Sequence, residues 1–238
     1  MANDLIFGGA TMGEIYYGST PIVAAFKGNE EVWRAIGAPY REDLVIANST
    51  GTTPITKDVT LYRGVYSVVM ISGGGAGWSE KQGNNYNYAT TGGGGSAIVG
   101  TLRITQGGTY RIVVGNRGGN NGNYEQTGKS GGDTSLSFNG NTILLCGGGK
   151  AATGSGAAGV GGKASATISG LTLMNGKSGS VGGGSKEWQG TNTAPDSVLF
   201  DTFGNTYGWA GVTTFDRSDA KNPTGGYFSL EYVAPITE

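Results

Sequence analysis

The chain has 238 residues and a formal net charge of −1, with 37% of residues apolar and 14% charged, so a thin core of β type is expected. Histidine is absent and Cys146 is the single cysteine, which excludes His/Cys zinc sites, Ser-His-Asp triads, Cys-His nucleophiles and an internal disulfide. The 16 Lys and Arg are scattered through the sequence, so no phosphate-backbone footprint is visible and nucleic acid is not expected as a partner.

The N-terminus, MANDLIFGG, has neither the basic start nor the apolar core of a secretory signal. No run approaches the roughly 18 apolar residues of a membrane span, so neither a signal peptide nor membrane insertion is expected. Residues 1–37 read as a separate module built on a quasi-repeat. Ile15-Tyr16-Tyr17-Gly18 followed by STPI aligns with Ala25-Phe26-Lys27-Gly28 followed by NEEV. Each unit reads as strand, glycine turn, strand, and together they predict a small β meander or hairpin pair. Its alternate residues Ile15, Tyr17, Ile22, Val23, Phe26 and Val32 supply an apolar face closed by Trp33. A module this short cannot bury enough surface to stand alone, so Ile15, Tyr17, Ile22, Phe26, Val32 and Trp33 are expected to form an anchoring interface.

Residues 38–63 read as a connector containing one short strand, Leu44 to Ala47. Residues 64–238 are expected to form one glycine-rich β domain, which the strand Tyr66 to Ser72 opens. Of the 48 glycines, 35 lie between Gly73 and Gly190, in blocks such as SGGGAG, TGGGGS, CGGGK and VGGGS. Glycine loses the most backbone freedom on folding, so so many of them imply either disorder or places where nothing larger fits. Strand-like apolar runs stand between the blocks, at 96–105, 109–115, 133–138 and 141–147, unlike a flexible linker. Collagen is excluded by the irregular glycine spacing and by only six prolines. What remains is an all-β, sandwich-like scaffold whose long loops run as polyglycine II helices of three residues per turn, packed side by side. GGYFSLEYV at 225–233 alternates as a closing strand, and Cys146, ending TILLC, reads as a small core hydrophobe.

Two aromatic-rich excursions interrupt the domain. One, at 77–93, carries Trp78, Tyr86 and Tyr88 among asparagines, and the other, at 185–192, carries Trp188. Aromatic faces beside amides suit sugar rings, so these four are candidate glycan contacts; the alternative is that they pin the loops or fill a subunit interface. The Asn- and Gly-rich stretch 116–133 lacks the carboxylates and spacing of a calcium loop. Asp196, Asp201, Asp216 and Asp219 show nothing that would raise one acid as glycosidases require. No catalytic residue, metal or cofactor is expected.

The phrases GTLRITQGGTYRIVVGNRGG (100–119), SGGDTSL (130–136), CGGGK (146–150) and GYFSLEY (226–232) resemble the glycine-rich domain of bacteriophage tail-fibre and other virion proteins, with Leu102, Ile104, Tyr110, Ile112 and Val114 the more specific matches. GEIYYGSTPIVAAFKGNEEVW similarly resembles a short module at the start of many phage virion proteins, with Phe26 in place of the usual tyrosine. The resemblance implies a structural virion protein, a fibre or decoration component of tail or capsid. Residues 1–37 would bind other virion proteins, and the chain would assemble with itself, most simply as a homotrimer. In phage adhesins with polyglycine lattices, loops between the glycine helices contact the host surface. The resemblance therefore also implies an alternative, a host-surface glycan adhesin.

Overall fold

The computed structural model describes residues 44–48, 50–82, 85–119, 128–153, 157–183, 223–234 and 236, with backbone alone for 79–82, 85–89 and 182–183, together with the backbone of four short strands before residue 35. Those four strands are β1 (Ile15–Tyr17), β2 (Thr20–Ile22), β3 (Ala24–Lys27) and β4 (Glu30–Arg34). They form two antiparallel hairpins, β1–β2 and β3–β4, as the quasi-repeat predicts. Ile15 is opposite Ile22 in the first, and Ala25 is opposite Trp33 in the second, before a register shift that sets Phe26 opposite Glu31. The side chains of the proposed anchor, Ile15, Tyr17, Ile22, Phe26, Val32 and Trp33, lie outside the described residues.

The body of the protein is a sandwich of two antiparallel sheets of five strands each, and no helix occurs among the described residues. One sheet contains β5 (Leu44–Ala47), β7 (Gly64–Ile71), β10 (Ala97–Ile104), β15 (Leu171–Met174) and β17 (Tyr227–Ala234), ordered β15-β10-β7-β17-β5. The other contains β6 (Ile55–Leu61), β11 (Gly108–Val114), β12 (Thr134–Phe138), β13 (Asn141–Cys146) and β14 (Ala164–Ala166), ordered β14-β13-β12-β11-β6. Alternation explains the strands: in β7 Tyr66, Val68 and Met70 are buried while Val65, Ser67 and Val69 between them are partly exposed. These side chains meet Ile98, Leu102, Phe228 and Leu230 from their own sheet and Tyr110, Ile112, Val114, Leu136 and Leu144 from the facing one. The stretch 38–63, read above as a connector, supplies β5 and β6, and Leu44, Ile46, Val59 and Leu61 all enter the core, so the sandwich begins at Leu44 rather than at 64.

The two ends of the sandwich differ. At one end lie tight turns. Asn139 (φ 50°) and Gly140 (φ 76°) both take the left-handed conformation that a two-residue hairpin turn of the primed type demands, joining β12 to β13. Two buried tyrosines pin neighbouring turns: the Tyr66 hydroxyl donates to the Tyr62 carbonyl at 2.9 Å, and Tyr110 donates to the Gln106 carbonyl at 2.7 Å. At the other end β7, β11, β13 and β15 all stop, and β10, β12, β14 and β17 all start, at a glycine-rich stretch. The register fixes where the chain joins the sandwich. Ala47 is opposite Tyr227, itself opposite Ile71 at the glycine end, so Leu44, opposite Leu230, is the end of β5 that lies toward the tight turns.

Candidate functional site: a polyglycine lattice and the hairpin it carries

Beyond the sandwich the strands continue as extended segments that hydrogen-bond to several neighbours at once. The Ser72 and Gly75 N–H groups donate to Ser96 and Gly93, while Gly73 and Ala76 donate to Gly132 and Lys129. Segment 72–77 also accepts from Gly149 and Ala152, through the carbonyls of Gly73 and Ala76, accepts from Gly118, and donates from Gly74 to Thr224. Partners therefore recur every third residue, in a different direction at each step, which is the signature of polyglycine II. The same spacing recurs elsewhere. Gly93 and Ser96 donate to Lys150 and Gly147; Gly159 and Gly162 donate to Thr91 and Gly94; Gly176 and Gly179 donate to Gly162 and Gly159. These bonds measure 2.8 to 3.2 Å, normal for N–H···O.

Such packing leaves no room for a side chain where backbones meet. A Cβ on Gly75 would lie 2.1 Å from the Lys150 carbonyl oxygen, and one on Gly149 would lie 1.9 Å from that of Gly93. In both cases the obstructing atom is backbone and has no rotamer by which to withdraw. Segments 72–77 and 91–96 are buried throughout, although their largest side chains are Ala76, Ser72, Ser96 and Thr91.

Where pleated strands turn into three-fold helices, the hydrogen-bond directions change and some backbone groups lose their ladder partners. Buried polar side chains meet them. Thr134 Oγ1 donates to the Ile71 carbonyl at 2.8 Å and accepts from the Gly115 N–H at 3.0 Å. Ser72 Oγ donates to the Gly147 carbonyl at 2.6 Å and accepts from the Ser96 N–H at 2.8 Å. Asn48 Nδ2 reaches the carbonyls of Thr53, Val114 and Gly115, and its own N–H donates to Gly226. Cys146 is wholly buried at the same level, packed as the sequence predicts, and burial pushes its thiol pKa up, which keeps it protonated and unreactive.

The lattice carries a further sheet. The hairpin of β8 (Trp78–Gln82) and β9 (Asn85–Thr90) continues from segments 72–77 and 91–96, and β16 (Val181–Gly183) adds to its edge in the order β16-β9-β8. This sheet places three of the four candidate glycan residues on one hairpin: Trp78 is opposite Thr90, Tyr86 opposite Lys81 and Tyr88 opposite Glu80. Trp78 is partly buried, and its carbonyl accepts from Thr90 Oγ1 at 3.3 Å. The side chains of Tyr86 and Tyr88 lie outside the described residues, as does Trp188, which follows β16 by a few positions; Gly183 at the end of β16 is opposite Tyr88.

A shallow open depression on the outer face of the second sheet is lined by Asp58, Thr109, Arg111, Ser137, Asn139 and Gly140. Within it Arg111 Nε and Nη2 grip both Asp58 oxygens at 2.9 and 3.0 Å, holding that carboxyl below its ordinary range. Asp58 is thus an exposed ion-pair partner and is poorly suited to donate a proton. Among the described residues no three acidic, histidine or cysteine side chains come together, and no helix is long and apolar enough to cross a membrane. Residues 49–229 match a family model described as a glycine-rich domain. A comparison with curated proteins finds no match.

Proposed function

We propose that this chain, which belongs to the glycine-rich domain family matched over residues 49–229, is a structural virion protein of a bacteriophage, a fibre or decoration component projecting from tail or capsid and assembled as a homo-oligomer. The observation that carries this reading is the polarity of the sandwich. The chain enters the sandwich at Leu44, which stands opposite Leu230 and so level with Val68 midway along β7, and β5 runs from there toward the glycine end, from which the lattice and its hairpin leave. A projecting protein needs that arrangement, an attachment end and a distal end separated by a rigid body. In this reading residues 1–37 anchor the chain to other virion proteins. The test is truncation: a chain lacking residues 1–37 should stay soluble and β-rich but should no longer enter particles when supplied during phage growth. Normal incorporation of the truncated chain, or a monomeric full-length chain by light scattering, sinks the proposal.

A second reading, a host-surface glycan adhesin, is favoured by one observation: Trp78, Tyr86 and Tyr88 share a hairpin mounted on the far side of the lattice. Trp78→Ala should then abolish adsorption of the purified protein to host cells. Unchanged adsorption would assign the aromatics to packing.

A further inference from the structure

The basic residues that look scattered in the sequence meet on the lattice. Five lattice segments each carry one: Arg117 on 115–119, Lys129 on 128–133, Lys150 on 147–153, Lys163 on 157–163 and Lys177 on 175–180. Hydrogen bonds place these segments next to one another in that order. Gly132 donates to Asn116, Gly131 to Gly149, Lys150 to Val160 and Gly176 to Gly162. Segment 72–77 lies behind the first three, bonded to 115–119, 128–133 and 147–153, and 91–96 lies behind the last three, bonded to 147–153, 157–163 and 175–180, so the five line one side of the bundle.

The four lysines are exposed, and Arg117 is partly so. Asp133 is the one acid on the described lattice segments, and its Oδ1 accepts from the Gly148 N–H at 2.8 Å. Five cations less one acid give the described lattice segments a charge of +4, in a chain whose total is −1. Close packing does not require this. It dictates glycine where backbones meet, and a neutral polar residue would serve solubility equally well at the outward positions.

We propose that this basic belt is a binding surface for an acidic polysaccharide, one carrying a carboxylate, phosphate or sulfate group along an extended chain. Neighbouring extended backbones lie about 4.8 Å apart, so cations on successive segments advance laterally in steps close to the length of one sugar unit. Flexible lysine stems can bring them to a row of anions. Nucleic acid fits less well. The five segments contain no aromatic residue on which a base could stack, and the belt runs over the outside of the bundle instead of along a groove. The proposal does not rest on the virion reading, because it concerns a surface of the isolated protein.

The experiment uses the full chain with alginate as the carboxylate probe, a phosphomannan as the phosphate probe, heparin as the sulfate probe, and neutral dextran and single-stranded oligothymidylate as comparisons. Wild type should bind at least one acidic polymer and not dextran, with affinity falling as salt rises. In Lys129→Gln/Lys150→Gln/Lys163→Gln that affinity should fall about tenfold or more, and the slope of log K against log salt should flatten by about 2, roughly 0.7 for each charge removed. The matching triple Lys→Arg variant should keep binding, and unchanged circular dichroism and melting should show that the Gln variant is folded. Trp78→Ala should bind the acidic polymers like wild type, which separates this surface from the hairpin. No binding to any acidic polymer by wild type, equal binding by the folded Gln variant, or tighter lysine-dependent binding of oligothymidylate would each overturn the proposal.

Discussion

The sandwich and the lattice are built from the same strands, one continuing into the other, yet they solve the burial of backbone in different ways. In each sheet a strand is bonded to neighbours on two sides, and the third dimension is filled by side chains such as Phe228, Leu136 and Tyr66. In the lattice, segment 72–77 is bonded to 91–96, 115–119, 128–133, 147–153 and Thr224, so hydrogen bonds fill directions that a sheet leaves to side chains. Where two backbones meet, the residue then has to shrink to glycine. A sheet tolerates hydrophobes of similar volume, because packing can adjust. A lattice fails for a single methyl, because what faces that methyl is a carbonyl oxygen.

The largest expected effect breaks the lattice side of the comparison. Gly149→Ala puts a methyl against the Gly93 carbonyl and should cost more than about 4 kcal/mol, seen as loss of soluble, protease-resistant protein. Its sandwich counterpart, Phe228→Ala, empties a fully buried site and should cost about 3–5 kcal/mol in urea unfolding while leaving a folded protein.

A smaller effect should follow pH. Burial raises the pKa of both Cys146, whose ordinary value is 9.0, and Tyr66, raised from 10.0 to about 12. The unfolded chain therefore releases these protons first. From neutral pH stability should be level up to about pH 9 and fall above it, with Tyr66 adding its part between 10 and about 12. Cys146→Ala should flatten the first part of that decline in urea midpoints. The smallest effect is a control: Gly107 lies in a turn, where a Cβ would meet nothing nearer than the Leu61 oxygen at 3.5 Å, so Gly107→Ala should shift stability by less than about 0.5 kcal/mol.

What was legible in the sequence follows the same division. Strands with alternating burial, such as β7, β11 and β17, announce themselves, and glycine blocks between apolar runs point to ordered polyglycine II. β6 does not, because only Val59 and Leu61 of ITKDVTL are buried and its first four residues are exposed. An edge strand with one wet half has no alternation to read. β8 and β9 are equally silent, being polar sequences that pair where the lattice brings their ends together. The basic belt was hidden for a topological reason: Lys129 lies between β11 and β12, Lys150 and Lys163 stand on the two arms of the excursion between β13 and β14, and only the cross-segment bonds make the three neighbours. For the hairpin, the sequence singled out Trp78, Tyr86 and Tyr88 by composition, and the backbone register is what unites them.

The three-direction bonding of the lattice also has a mechanical meaning. A sheet shears easily between layers, where only side chains grip, so a sandwich loaded sideways has a plane along which it can slip. The glycine bundle is cross-linked by hydrogen bonds around much of its circumference, with no such plane through its centre at 72–77 and 91–96. Torque or drag applied to the β8–β9 hairpin would reach the sandwich through several parallel chains, shared among them in place of a single hinge.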